Sequence, residues 1–230
     1  MSFTQRIFSS SLGRKYLMAI SGALLMVFLI AHMTGNLLVF AGPDAFNAYG
    51  HYLKTHPQLL WPARIGLIVL FVLHVYTGIS LARENRAARP TPYAFKNTIQ
   101  ATLASRTMAL TGLLVLAYLI YHLLHFTLGI VQPQYFSGVD GQGRHDIYTM
   151  FILGFRNPII YSSYVAAQII LVLHLSHASK SFFQTMGWNQ ARFHGAIKTF
   201  SLAYTLVIFL GFMITPTCVI LNFIKLPGEL

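Results

Sequence analysis

Four histidines sit deep inside otherwise apolar runs of this 230-residue chain. His32 lies in SGALLMVFLIAHMTGN (21–36), His74 in LIVLFVLHVYTG, His122 in TGLLVLAYLIYHLLHF (111–126) and His174 in IILVLHLSH. An ionisable side chain within a membrane span is costly and marks function by default. Imidazole has three uses there: it relays a proton, ligates a metal through a ring nitrogen, or takes an ordinary structural hydrogen bond. For a single histidine the structural use is the simplest. Four of them, one per apolar run, ask for a shared partner. Two of the runs also match internally. Ser21-Gly22 aligns with Thr111-Gly112, and in both the histidine follows ten residues after the glycine.

Composition fixes the solvent around these runs. The chain is 55% hydrophobic and 9% charged, where a soluble domain carries about 25% charged residues. Apolar blocks of about 20 residues have the length that crosses hydrocarbon, so lipid surrounds them. The single cysteine, Cys218, excludes an internal disulfide, a four-cysteine iron–sulfur site and a c-type haem attachment motif. A net charge of +11 is explained by basic residues at the ends of apolar runs and not by nucleic-acid binding. The first apolar run is too long for a signal-peptide core and no small-residue cleavage site follows it, so it is expected to be a retained span.

The pattern predicts an all-α integral membrane protein, a single membrane domain over 1–230, with five transmembrane helices at about 16–41, 59–82, 106–131, 158–178 and 199–224. Residues 1–15 read as a basic interfacial lead-in, and Gly42-Pro43-Asp44 as the turn that stops the first helix. The polar, aromatic 43–58 segment suits the membrane interface, and Trp61-Pro62 opens the second span. Residues 83–93 read as a basic loop, 132–157 as the longest polar loop, and Pro216 as a kink in the fifth helix. No Asp or Glu falls inside any predicted span, so a carboxylate relay across the bilayer is unsupported.

Five spans put the termini on opposite sides. Eleven Lys and Arg fall on the side of the N-terminus: Arg6, Arg14, Lys15, Arg83, Arg86, Arg89, Lys96, Arg106, Lys180, Arg192 and Lys198. Five fall on the other: Lys54, Arg64, Arg144, Arg156 and Lys225. The excess predicts a cytoplasmic N-terminus and an external C-terminus in a bacterial-type cytoplasmic membrane. Helical rise then gives each histidine a depth. Counted from Lys15 and Arg106, His32 and His122 lie roughly 25 Å from the cytoplasmic edge. Counted back from Arg83 and Lys180, His74 and His174 lie roughly 14 and 9 Å from it. The four sort into an outer pair, His32 with His122, and an inner pair, His74 with His174.

Two imidazoles at one depth on different helices are what a bis-histidine haem needs. With both axial positions filled, the iron has no open site, which points to electron transfer and away from oxygen activation. Gly35, Gly78 and Ala178, each about one turn from a histidine, would give a macrocycle room, and the cationic loops would meet its propionates. His125 and His177 compete with His122 and His174, since each lies three residues on, along a nearby face. The shared glycine-to-histidine spacing favours His122, and the Val-Leu-His tripeptide common to 72–74 and 172–174 favours His174. His51, His56, His145 and His194 fall at helix ends or in loops and read as ordinary interfacial residues.

At these residues the chain resembles the five-helix, di-haem cytochrome b membrane anchor of succinate:quinone oxidoreductases and quinol:fumarate reductases. The resemblance is carried by LIAHMTGNLLVF followed by GPDAFNAYGHYL, then WPARIGLIVLFVLHVYTG, RTMALTGLLVLAYLIYHLLHF and LHLSHASKSFFQTMG, in that order. It implies four helices forming a haem-binding bundle with a fifth beside it. It implies two haems b, His32 and His122 ligating the distal iron and His74 and His174 the proximal one. It also implies two cytoplasmic partners, a flavoprotein and an iron–sulfur protein, in a complex with the capacity to oligomerise. Electrons would pass from the iron–sulfur partner to membrane quinone, and di-haem anchors are mostly associated with menaquinone. Asn36, His51, Arg64 and His125 are candidates for a quinone or propionate site on the distal side. Ser11, Arg14 and Lys15 are candidates for a proximal site or for contact with the iron–sulfur partner.

Two other readings compete. Another di-haem membrane cytochrome, b561-like or the cytochrome subunit of a formate dehydrogenase or hydrogenase, would share the haems and not the partners. A transporter using the histidines as a proton relay would be expected to show paired broken helices in two halves. The Gly22/Gly112 match is faint symmetry of that kind, but neither glycine is paired with a proline.

Overall fold

A computed structural model of the chain describes residues 7–88, 91 and 101–229. Arg6, Arg89 and Lys96 of the charge tally, the start of the N-terminal lead-in and the end of the 83–93 loop lie outside the described residues. Among the described residues seven helices carry the fold: α1 Ser11–Leu37, α2 Pro43–Thr55, α3 Pro57–Ala87, α4 Met108–His122, α5 Ile147–Phe155, α6 Pro158–Thr185 and α7 His194–Ile220. A 3-10 turn, Leu38–Ala41, extends α1, and a π-helical turn, Leu123–Thr127, extends α4. Single helical turns occupy Leu103–Arg106 and Pro133–Phe136. The one β feature among the described residues is an isolated bridge between Val139 and His145.

Among the described residues five stretches are long and apolar enough to cross a membrane: Ser11–Ala41, Pro57–Ala87, Met108–Thr127, Pro158–Thr185 and Ala191–Ile220. The chain is an all-α, multi-pass membrane protein. Helices suit this solvent because each satisfies its own backbone hydrogen bonds where no water can. Large apolar side chains such as Leu24, Val27, Ile68, Val72, Leu110 and Leu206 stand on their exposed sides, as lipid contact requires.

The helices outrun the sequence expectation in several places. The first span begins at Ser11, inside the expected lead-in, and α3 continues through Arg83, Glu84 and Arg86 to Ala87. The 43–58 segment is a defined helix, started by Pro43 in the first turn after Gly42 at φ 91°. The longest polar loop holds α5, whose IYTMFILGF sequence is almost wholly buried. Nine residues cannot span a membrane, and a polar average over 132–157 hid a short apolar helix.

The chain divides into two compact units. The first comprises Met1–Phe28, Ile65–Leu113 and Val172–Thr205, the second Leu29–Arg64, Leu114–Leu171 and Leu206–Leu230. In the first unit Arg14 of α1 pairs with Glu84 of α3 and also donates to the Phe8 carbonyl at 3.0 Å. The Tyr204 hydroxyl of α7 donates to the Met26 carbonyl of α1 at 2.9 Å, and Ser179 and Ser201 share a buried hydroxyl contact at 2.5 Å between α6 and α7. Small polar residues of this kind let helices approach closely where no hydrophobic force drives them together.

The second unit holds the apolar cluster Val39, Phe46, Tyr148, Phe151, Ile152, Phe155, Tyr164 and Val219. Asn47 fastens α5 over it. Its side chain, 1% exposed, donates to Asp140 (3.2 Å) and Asp146 (3.0 Å) and accepts from the Tyr148 N–H (2.9 Å). Asp146 caps α5 through the Thr149 N–H, and Arg144 clamps Asp140 and Asp44. Burial acts to raise the Asp140 carboxyl, but the Arg144 N–H and guanidinium, the Gln142 N–H and Asn47 outweigh it and hold it at about 2. The Arg156 guanidinium likewise holds Glu229 at about 2. Both folded values lie below the ordinary unfolded ones of about 3.9 and 4.3. Their stabilisation is therefore complete above about pH 4 and lost as pH falls through about 2. Limited pepsin digestion should leave residues 137–155 intact at about pH 4 and cut them progressively toward pH 2.

Candidate functional site

In the first unit, His74 of α3 meets His174 of α6, with ring centroids 6.3 Å apart and planes at 73°. Each ring turns its Nδ1 to a hydroxyl on a neighbouring helix. Ser21 Oγ of α1 lies 3.4 Å from His74 Nδ1, and Thr111 Oγ1 of α4 lies 3.3 Å from His174 Nδ1. Each hydroxyl has one hydrogen, and each spends it on its own helix. Ser21 donates to Leu17 O (2.7 Å), and Thr111 to Thr107 O or Met108 O (both 3.1 Å). The hydroxyl oxygens therefore accept, the imidazoles donate from Nδ1, and the lone pair is left on Nε2 of both rings. The following glycines complete the seat. A Cβ at Gly22 would stand 3.1 Å from His74 Cε1, and one at Gly112 would stand 3.2 Å from His174 Cε1. This gives the Ser21-Gly22 and Thr111-Gly112 match its physical content. The dipeptides repeat because each seats one ring of the other histidine pair. His177 makes no such hydrogen bond with either hydroxyl.

In the second unit, His32 of α1 meets His122 of α4, with centroids 5.8 Å apart and planes at 82°. Phe212 of α7 packs on His32 and Tyr118 on His122. The hydroxyl of Tyr164, on α6, stands between two imidazoles, 3.3 Å from His122 Nδ1 and 3.0 Å from His125 Nδ1. His125 is 3% exposed, and its Nε2 lies 2.9 Å from Gln132 Oε1. The π turn begins directly after His122 and brings His125 to the same hydroxyl, a use of the wider turn often seen at functional sites. An amide oxygen only accepts, so His125 carries its proton on Nε2 and is not available there as a ligand. His122 has no such constraint on Nε2.

These pairs suit one kind of metal group. An imidazole nitrogen bonds a transition metal at about 2 Å, so two rings on opposite sides of one ion have centres about 6 Å apart. Both pairs have that spacing. No cluster of three or more His, Cys, Asp or Glu that would hold a bare ion occurs among the described residues. Two imidazoles suffice for an iron whose remaining positions a macrocycle fills. The spacing of the paired rings fits a bis-histidine haem at each pair, and at His74 and His174 the Nε2 lone pairs and the glycine seats add to that fit.

The remaining candidates scatter. Asn36 donates back to the His32 carbonyl (2.9 Å), His51 is exposed on α2, and Arg64 stacks over Trp61 at 5.5 Å. No hydrogen bond or ring contact joins these three to one another or to His125. On the N-terminal side Ser11 and Lys15 are exposed, while Arg14 is engaged by Glu84. Gly35 receives the Tyr49 ring, whose hydroxyl would lie 2.9 Å from an added Cβ, so its small size serves α2 packing; Gly78 faces open space. The sequence pointed to the histidines and missed their supports. Tyr164 and Gln132 carry no local motif, and only the depth of Tyr164, one helix away from His122, could have singled it out. No family model matches the chain, and no curated protein or solved structure matches it.

Proposed function

We propose that this chain is the di-haem membrane anchor of a succinate:quinone oxidoreductase or quinol:fumarate reductase, oriented with its N-terminus in the cytoplasm. The observation that carries the reading is the meeting of His32 with His122 and of His74 with His174 at about 6 Å between ring centres. His32 and His122 would hold one haem b, and His74 and His174 the other. When bound, the two haems supply one-electron carriers between a cytoplasmic iron–sulfur partner and membrane quinone. The chain's own part is to orient and insulate. Ser21 and Thr111 keep His74 and His174 protonated on Nδ1, Tyr164 does the same for His122, and the apolar spans exclude water from both pairs. Assignment to this complex, ahead of a b561-like or formate dehydrogenase or hydrogenase cytochrome, rests on the sequence resemblance.

Affinity purification of the tagged chain from its native membrane tests the assignment. A flavoprotein and an iron–sulfur protein should copurify, and succinate should reduce the haem absorbance. Haem without those partners would favour the other di-haem cytochromes. The glycine seats give a further expectation. Gly22→Leu or Gly112→Leu should displace the adjacent imidazole and lower haem content from two per chain to one, read by the pyridine haemochrome spectrum. An unchanged content in both would show that the seats are dispensable.

A further inference from the structure

The hydrogen bonds around Tyr164 have a direction. Gln132 Oε1 only accepts, so His125 donates from Nε2. A neutral His125 then has its lone pair on Nδ1, 3.0 Å from the Tyr164 oxygen, and accepts the phenol proton. With that proton committed, the Tyr164 oxygen accepts from its two other neighbours, His122 Nδ1 at 3.3 Å and the Tyr118 hydroxyl. The order of donation is His122 to Tyr164 to His125 to Gln132, and it ends with a lone pair on His122 Nε2. The chain is dry, with His125 3% and Tyr164 6% exposed. Its last member is held at some cost. Gln132 is one of two non-glycine residues among those described with positive φ, at 59°. A residue with a Cβ is uncommon in that region, and here the conformation brings its amide onto His125. Gly154 of α5 closes the end of the chain, with its Cβ position 3.4 Å from both Gln132 Oε1 and His125 Nε2.

We infer that Tyr164 is a positioning residue for the His32/His122 haem site, and that His125 and Gln132 set the direction of its hydroxyl proton. This rests on the haem reading proposed above. A hydrogen bond accepted from the far nitrogen of a ligating imidazole raises the basicity of the metal-bound nitrogen and fixes the ring. A more basic ligand favours ferric over ferrous iron. Neighbouring bonds in such a chain polarise one another, so the effect of Gln132 reaches His122 in weakened form.

The test is an equilibrium redox titration, followed by optical and electron paramagnetic resonance spectra, on the purified full complex and its Tyr164→Phe and Gln132→Met variants. Tyr164→Phe should keep two haems per chain, move the midpoint potential of one of them upward and change that haem's highest g value. The other haem should not move. The affected haem should be the one lost on His122→Ala. Gln132→Met, close in shape but without an acceptor oxygen, should move the same haem in the same direction by less. If Tyr164→Phe fails to assemble, Gln132→Met decides alone. Two haems with unmoved potentials, or a shift confined to the other haem, would overturn this inference and leave the haem assignment standing. An intact complex without haem would overturn both.

Discussion

On the proposed di-haem reading, His122→Ala is expected to leave one low-spin haem b per chain in place of two, and His125→Ala is expected to leave both. The two residues are three apart on the same helix and share the Tyr164 hydroxyl. Composition, depth and helical spacing hardly separate them, but their hydrogen bonds do. His125 has both ring nitrogens engaged, one by Tyr164 and one by Gln132, whereas His122 spends only Nδ1 and faces His32. A non-covalently bound haem that loses an axial imidazole becomes high-spin or dissociates, so the effect is loss of about half the low-spin signal. His32→Ala should remove the same haem as His122→Ala. His74→Ala and His174→Ala should remove the other, and His177→Ala neither. Haem per chain and spin state in detergent read all six. Haem kept in His122→Ala and lost in His125→Ala would falsify the ligand choice, and no haem in the intact chain would end the electron-transfer reading.

What the sequence could say about this site follows from the physics of the bilayer. Five spans were legible because a span must be continuous and apolar, and because charge collects at its ends. The pairing of His32 with His122 and of His74 with His174 was legible because a helix converts residue number into depth. The rotation of side chains about each helix is not encoded in depth. For that reason the Ser21-Gly22 and Thr111-Gly112 match was visible as a repeat while the rings it seats were not. The π turn that brings His125 onto Tyr164 breaks the 3.6-residue count on which any facing argument depends. Gln132 and α5 were hidden for another reason. They lie in a stretch whose average polarity reads as loop, and what fastens the start of α5 is Asn47, about a hundred residues away in the chain.

That distant fastening makes Asn47→Leu the second large effect. The side chain is 1% exposed and makes three hydrogen bonds, two of them to carboxylates. Leucine keeps the bulk and removes every bond, which strands the buried Tyr148 N–H at the start of α5 and leaves Asp140 and Asp146 short of a donor. Unsatisfied groups of this kind cost about 1–3 kcal/mol each, so about 2–4 kcal/mol is expected for the local structure. At 1.36 kcal/mol per decade, that is about 30- to 1,000-fold faster opening of α5. Hydrogen exchange of the 148–155 amides should report it, with α6 and α7 much less affected. Asp44→Asn is the control. Its carboxylate is 77% exposed and meets Arg144 and Gln142 at the surface, so its loss should cost no more than about 1 kcal/mol. The consequence reaches the histidines because α5 is what keeps their hydrogen-bond chain dry. Phe151 and Phe155 pack on Phe126, Phe155 also packs on Tyr164, and Gly154 sits against His125 and Gln132. Water admitted by the opening of α5 offers His125 and Tyr164 other partners and removes the reason for a single direction of donation. Asn47→Leu should therefore broaden the signal of the His32/His122 haem without removing it, and leave the His74/His174 haem unchanged. A sharp, native signal alongside fast exchange in α5 would separate the cap from the site.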